Sequence, residues 1–291
     1  MEYKSFMDDH VDAKTLSAMT DLVTLCRQKE TISLSFPLPS AEDEVMIHYF
    51  AALEHTLCIG VAAVCLFPLH SDENCCEFSY EITAFVHPDY RRQGIFRTLI
   101  ELFLEKEQLT WQDPRIQFLS DRRCLAAALT AAAWNMKQIS AEYLMQLDLS
   151  IRPDNPSPIR ITRCRNRRLL ASHYSHIFQM APDIGRAYVD MILAEEENTI
   201  PFLIRMKNTP IGSGYLIQSN PEKAYLFSFG ILPEYQGHGL GLASLQALKE
   251  FLPESCKLLT VQVSGQNIPA CRLYEKAGFV MTQQLLYYGW E

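Results

Sequence analysis

Residues 46–54, MIHYFAALE, and 57–67, LCIGVAAVCLF, are almost unbroken apolar runs parted only by His55 and Thr56. Runs of that length rich in β-branched and aromatic residues predict two strands joined by a tight turn. Before them, about residues 12–28 repeat apolar positions at helical spacing. After them come a third strand, FSYEITAFV, a helix beginning past Gly94, a short strand, RIQFL, an alanine-rich helix over 124–134, and a last strand, AEYLMQLDL. The rhythm then stops. Residues 150–158, SIRPDNPSP, carry Pro153, Pro156 and Pro158 without apolar periodicity, which predicts a linker.

Beyond the linker the order returns. A strand, IRITRC, leads into helices near 166–179 and 184–196. A hairpin follows, IPFLIRM and GSGYLIQ, with its turn expected at Asn208-Thr209-Pro210. Then come the strand AYLFSFGIL, a helix to about Phe251, the strand KLLTVQV, a helix over 268–277 and the final strand FVMTQQLLYYGW. Strand meander, helix, strand, helix, strand occurs twice, so the pattern is α/β with internal duplication. The expected domains are 1–150 and 158–291, with 151–157 between them.

Composition narrows the class. The 291 residues are 48% hydrophobic and 21% charged, ordinary for a globular chain that buries a core in each half. A formal net charge of −8 argues against a nucleic-acid partner. Arg160, Arg163, Arg165, Arg167 and Arg168 form the densest basic cluster, read as a solvated helix face with an anion site as the alternative. The start, MEYKSFMDDH, is polar and acidic rather than a secretory signal, and no apolar run reaches membrane-span length, so no membrane partner is expected. The nine cysteines form no C-x-x-C pair and read as reduced core thiols of a cytoplasmic protein, with no metal site expected.

The stretch YQGHGLGLASL, 235–245, sets Gly237, Gly239 and Gly241 at alternate positions where a helix begins. Glycine there costs conformational entropy. A helix start exposes N–H groups without intrahelical partners, and removing Cβ atoms lets a ligand touch them, which makes an anion cradle. The spacing is neither a P-loop nor the G-x-G-x-x-G dinucleotide fingerprint. It resembles the pyrophosphate loop, Q/R-x-x-G-x-G/A, of the GNAT-type N-acetyltransferases, matched by Gln236, Gly239 and Gly241. Downstream, VSGQNIPACRLYEKAGFV resembles that family's second signature through Asn267, Ala270, Tyr274, Gly278 and Phe279. The resemblance implies two tandem domains of this fold, each a mixed, mainly antiparallel sheet flanked by helices.

YRRQGIFRTLI, 90–100, looks like a damaged copy of the glycine stretch. Arg91 and Gly94 match, but Phe96 stands where Gly241 stands. Neither Asp121 nor Arg122 is followed seven positions on by a tyrosine. The first half therefore resembles a GNAT domain that has lost its chemistry and serves to shape structure or substrate; residual acyl-CoA binding is the alternative.

By the resemblance, acetyl-CoA is the co-substrate and the activity is acetyl transfer to a primary amine of a small or medium acceptor by direct attack in a ternary complex. Gly230 and Ile231 would lie at a bulged strand end and offer N–H groups to the thioester carbonyl. Gln236, Gly237, His238, Gly239, Leu240 and Gly241 would hold the pyrophosphate, with the His238 side chain a spectator. Asn267 would reach the pantetheine arm, and Tyr274 would protonate the leaving thiolate. Read alone, a tyrosine on an apolar helix face is core packing; Asn267 and the glycine loop shift that reading.

Tyr225–Gly230 carries no carboxylate, so a water relay is expected as the base. Glu195, Glu196 and Glu197 could attract a cationic amine or simply end a helix. His173, His176, Phe178, Met180, Tyr188, Tyr287 and Tyr288 make an aromatic, mildly polar acceptor set. An acyl-CoA-binding regulatory protein, or an acyltransferase with a longer acyl donor or a hydroxyl acceptor, are the alternatives, and a monomer or homodimer is expected.

Overall fold

β2, Met46–Glu54, buries seven consecutive side chains. A strand alternates its side chains between faces, so such a run needs cover on both. Tyr49, Ala51 and Leu53 enter one core with Met19, Leu22, Val23 and Cys26 of helix α1, Ala13–Glu30. Phe50 and Ala52 enter another with Leu99, Ile100 and Phe103 of α2, Ile95–Glu107. A sheet with helices on both faces follows directly from the apolar run.

The computed structural model describes residues 1–7, 11–39, 45–72, 75–150, 158–194 and 198–290. They fall into two compact units. The first unit, Met1–Ala141 with Gln283–Glu291, holds β1 (Glu2–Met7), α1, β2, β3 (Leu57–Asp72), β4 (Cys75–Val86), α2, β5 (Ile116–Asp121) and α3 (Leu125–Ala133). Its strand order is β1-β2-β3-β4-β5-β12, where β12 spans Val280–Gly289. Only β4 and β5 run parallel, over Tyr80–Ile82 and Ile116–Phe118; the other pairs are antiparallel.

The second unit, Glu142–Thr282, takes most of β6 (Lys137–Asp148), then β7 (Ile159–Arg163), α4 (Arg167–Phe178), α5 (Pro182–Ala194), β8 (Thr199–Met206), β9 (Thr209–Asn220), β10 (Lys223–Ile231), α6 (Leu240–Phe251), β11 (Leu258–Ser264) and α7 (Ile268–Lys276). Its order is β6-β11-β10-β9-β8-β7, with β10 and β11 the one parallel pair. Leu245 and Leu248 of α6 pack one face, and Leu170 of α4 with Val189 of α5 packs the other. Each unit is thus the mixed, mainly antiparallel sheet flanked by helices that the pattern implies.

The division departs from a boundary at 151–157 in one respect. β6, from the first half of the chain, pairs with β11 from Asp148↔Leu258 to Glu142↔Ser264. β12, from the second half, pairs with β5 from Leu285↔Asp121 to Tyr288↔Phe118. The two halves exchange their last strands. The expected linker, 151–157, lies outside the described residues.

Smaller differences have local causes. β1 is absent from the sequence reading because EYKSFM alternates weakly; it is held as an edge strand by Glu2↔Leu53 through Met7↔His48. The β8–β9 turn is Lys207-Asn208, with Thr209 already opposite Met206 and Lys207 at φ +55°. The His55-Thr56 turn is as expected, with Glu54 opposite Leu57. Among the free cysteines, Cys26, Cys58, Cys65, Cys256 and Cys271 are buried, and burial pushes the Cys26 thiol up to about 11 and that of Cys58 to about 12. Both stay protonated at neutral pH.

The exchanged strand carries a stability consequence. Trp290 donates its indole N–H to the Trp134 carbonyl at 3.1 Å and sets its ring edge-on to Phe118 at 5.8 Å. Trp290→Ala should cost about 3–5 kcal/mol, all of it in the first unit. Hydrogen exchange should quicken in β2 and β5 and stay unchanged in β8 and β10; equal quickening in both units would contradict the exchange.

Candidate active site

β10 and β11 share a ladder only from Lys223↔Leu258 to Leu226↔Val261. β10 continues to Ile231 without that neighbour, which opens a cleft between the strand ends. On its other edge β10 slips against β9 between Phe227↔Tyr215 and Gly230↔Ser213. One extra residue on one strand is a β-bulge, a feature that re-aims groups beside it. Ser228 sits in it with left-handed backbone, φ +48°.

The bulge decides which N–H faces the cleft. Leu232 donates its N–H to the Ile211 carbonyl at 2.9 Å. Alternation along an antiparallel strand then turns the N–H and C=O of Ile231 to the opposite edge. There Gln236 Nε2 donates to the Ile231 carbonyl at 2.8 Å, and the Ile231 N–H is left facing the gap. By the same alternation the Gly230 N–H faces β9. Gly230 contributes differently: a Cβ there would run into the Ile177 side chain of α4.

A 3-10 turn at Pro233–Tyr235 and the glycine loop lead from β10 into α6. Gly237 (φ +80°) and Gly239 (φ +75°) are left-handed, and a Cβ on either would meet nothing within 4 Å. Backbone conformation requires these two glycines, and the space beside them is open. Gly239 caps α6 with no side-chain hydrogen bond, and the N–H groups of Leu240 and Gly241 find no partner among the described residues. They face the positive end of the helix dipole. Gly241 has another reason to be small, since a Cβ would come within 3.1 Å of Leu273 on α7. His238 is exposed.

Asn267 is the N-cap of α7, its Oδ1 accepting the Ala270 N–H at 3.1 Å. That is a helix-start role; the residue is exposed, with its amide nitrogen free of described partners. Tyr274, on the same helix, is 6% exposed and packs on Phe279 at 5.3 Å between centroids. Burial pushes its phenol up to about 12. Among the described residues, the polar side-chain atoms buried without a partner are His48 Nε2, His173 Nδ1 and the Tyr215 hydroxyl. The Tyr274 hydroxyl is not one of them.

Across β10, Tyr188 hydrogen-bonds Ser228 through its hydroxyl and stacks on Tyr174, 4.1 Å between centroids at 20°. Tyr174 in turn tilts against Phe178 at 4.8 Å. This aromatic wall flanks the bulge. Tyr174 and Ile177 escaped the sequence reading; their signal was the spacing of Tyr174, Ile177 and Phe178 on one turn of α4. His173 is buried, its ring bonded to the backbone of Gly212, and desolvation lowers its pKa, so it is neutral at pH 7. His176, Phe178 and Met180 are exposed. Tyr287 and Tyr288 stand opposite Leu119 and Phe118 in the first unit, carried there by the exchanged strand. Glu195, Glu196 and Glu197 lie outside the described residues.

No group of His, Cys, Asp or Glu suited to a metal ion occurs among the described residues, and no described helix is long and apolar enough to cross a membrane.

Comparison with known proteins now bears on this geometry. Residues 167–279 match the model of the acetyltransferase (GNAT) family. N-alpha-acetyltransferase 60 of Danio rerio is 30% identical over 118 residues, 38% of this chain and 46% of that protein. Spermine/spermidine N(1)-acetyltransferase of Bacillus subtilis (strain 168) is 38% identical over 69 residues, 23% of this chain and 45% of that protein. The chain therefore spans about half the length of the curated relatives it matches. A GCN5-related N-acetyltransferase structure from Sphaerobacter thermophilus aligns over 98% of this chain and 94% of its own at TM-score 0.69 and 14% identity. A tandem GNAT protein from the clavulanic acid biosynthesis pathway aligns over 99% and 98% at TM-score 0.65 and 17% identity. The parted strands, the glycine loop and the two signatures all lie inside the segment that matches the GNAT family model, and the chain has the fold of solved GNAT structures, a tandem one among them.

Proposed function

We propose that this chain is an acetyl-CoA-dependent N-acetyltransferase with one catalytic site, in the second unit, acting on a primary amine of a small or medium acceptor. The observation that carries this reading is that β10 parts from β11 after Leu226 and leads through the left-handed Gly237 and Gly239 into the uncapped start of α6. The fit to a CoA thioester is supported by the left-handed Gly237 and Gly239 with open space beside them. The relatives named for N-terminal and polyamine acetylation support an amine acceptor.

Acetyl-CoA supplies an acetyl group activated as a thioester. The N–H groups at Leu240 and Gly241 hold its pyrophosphate, helped by the helix dipole. The Ile231 N–H donates to the thioester carbonyl oxygen and stabilises the negative charge that grows there, an effect of a few kcal/mol for a fixed donor. Free alkylamines have a pKa near 10.4 and arrive protonated. Ser228 and the half-buried Tyr188 sit beside the bulge with no carboxylate on this stretch of β10, so water carries the amine's first proton to solvent. As the C–N bond forms and the C–S bond breaks, the Tyr274 phenol gives its proton to the departing sulfur. It regains one from water or from the new amide nitrogen, which balances the step. The Tyr174–Tyr188–Phe178 wall suits an acceptor with an apolar body behind its amine.

The donor cradle is tested at Gly239 rather than Gly241, because bulk at Gly241 also strikes Leu273. Asparagine tolerates left-handed backbone better than most residues, so Gly239→Asn places a side chain in the cradle with the least strain. Calorimetric titration should show acetyl-CoA affinity falling at least about tenfold, roughly 1.4 kcal/mol, with the thermal midpoint unchanged. Undiminished affinity would remove the cradle from the site.

Tyr274→Phe keeps the ring packing and removes the proton. It should lower kcat by roughly 10–100-fold and leave KM for acetyl-CoA within about twofold. A raised phenol pKa favours the neutral form, so the wild-type phenol remains a donor until pH approaches about 12. The ratio of wild-type to Tyr274→Phe kcat should therefore stay level from pH 7 to 10. A ratio that collapses within that range, or turnover untouched by the substitution, would assign the proton to another group. No turnover with any amine, alongside intact acetyl-CoA binding, would favour the regulatory reading.

A further inference from the structure

The first unit keeps the frame of this site but not its contents. Cys124 and Asn267 cap α3 and α7. Counting from the caps, Thr130 and Ala131 stand where the second unit has Leu273 and Tyr274. α3 reads LAAALTAAA, so the helix that carries Leu273 and Tyr274 in the second unit carries only small side chains at the matching positions in the first. The result is a cavity of about 600 Å³, the size of a small-ligand pocket. Ile82, Phe118, Ala127, Thr130, Trp134 and Tyr288 are among its walls.

The mouth of this apolar chamber is basic. Arg91, Arg92, Arg97 and Glu30 line it. Glu30 is matched by Arg91 at 2.8 Å. Arg92 and Arg97 are exposed and have no carboxylate partner among the described residues; Arg97 lies 5.9 Å from the Trp111 ring centre. Two unmatched guanidinium groups over an apolar cavity, on a chain of net charge −8, complement a molecule with an apolar tail and one anionic head. A nucleotide thioester fits poorly, because Phe96 takes the place of Gly241 and stacks on Trp134, 4.9 Å between centroids at 11°.

We propose that the first unit binds a medium-chain fatty carboxylate, its tail in the cavity and its carboxylate at Arg92 and Arg97. This does not depend on catalysis in the second unit. The chain's three tryptophans, Trp111, Trp134 and Trp290, all lie in the first unit, with Trp111 edge-on to Trp134 at 5.0 Å and to Trp290 at 6.3 Å. Intrinsic fluorescence therefore reads this cavity.

The experiment is a fluorescence titration of the full chain with decanoate at neutral pH. Saturable change is expected in the wild type. Ala127→Phe, which fills the chamber from a half-buried position, should weaken it at least about tenfold. Arg92 has left-handed backbone, φ +65°, so Arg92→Gly removes the charge without strain and should weaken decanoate binding several-fold. Decyltrimethylammonium, with the same tail and opposite charge, should bind more weakly than decanoate. No saturable change up to millimolar decanoate would overturn the proposal, as would equal affinity for the two amphiphiles. A tryptophan response to acetyl-CoA that Ala127→Phe abolishes would overturn it too, by making the cavity a CoA site.

Discussion

Two parallel strands that part before they end set everything else in this protein. β10 leaves β11 after Leu226, and β4 pairs with β5 only through Ile82. Each strand then runs on toward a helix start, unpaired along that edge but still paired along the other. An unpaired strand edge exposes backbone groups that need partners, and both units satisfy one of them in the same manner. Gln236 Nε2 donates to the Ile231 carbonyl at 2.8 Å, and Arg91 Nε donates to the Val86 carbonyl at 3.1 Å. The side chain immediately before the left-handed Gly237 and the left-handed Arg92 folds back on the strand it came from. That tether ties the loop to its strand just before the helix begins.

From this common frame the units diverge by side-chain volume. In the second, α7 brings Leu273 and Tyr274 to the cleft, and α6 must carry glycine at 241 to let Leu273 approach. In the first, α3 brings Thr130 and Ala131, and α2 carries Phe96, which stacks on Trp134. Large and small have changed places across the helix pair. Close packing in an interior makes such swaps coupled rather than independent. The aromatic ring at position 96 and the apolar chamber are thus two aspects of one repacking.

The sequence made the loop legible because left-handed backbone is a local demand that glycine alone meets without strain; Gly237 and Gly239 do sit at positive φ. It made Asn267 and Tyr274 candidates only through the resemblance to a family signature; the helical spacing of Tyr274 by itself reads as core packing. It could not separate Gly230 from Ile231, since their roles depend on which edge each N–H faces, and that is fixed by a bulge against β9. Nor could it show the exchange of β6 and β12. Both read as final strands of their halves, and alternation specifies a strand's faces but not its neighbour. Tyr287 and Tyr288 were therefore assigned to an acceptor pocket when they belong to the first unit's sheet.

The exchange has a mechanical meaning for each unit. β12 closes the first unit's sheet beside β5, and its end places Tyr288 on the wall of the chamber and Trp290 against Phe118. β6 does the same work for the second, where Leu147 comes within 3.4 Å of the position a Cβ would take on Gly278, the left-handed residue after α7. Each unit's cleft is therefore bounded by a strand borrowed from the other half of the sequence. Neither half of the sequence contains a complete sheet by itself. The first half supplies β6 to the second unit's core, where Met145, Leu147 and Leu149 pack with Tyr274 and Phe279, so α7 and its tyrosine depend on a strand from the first half of the chain.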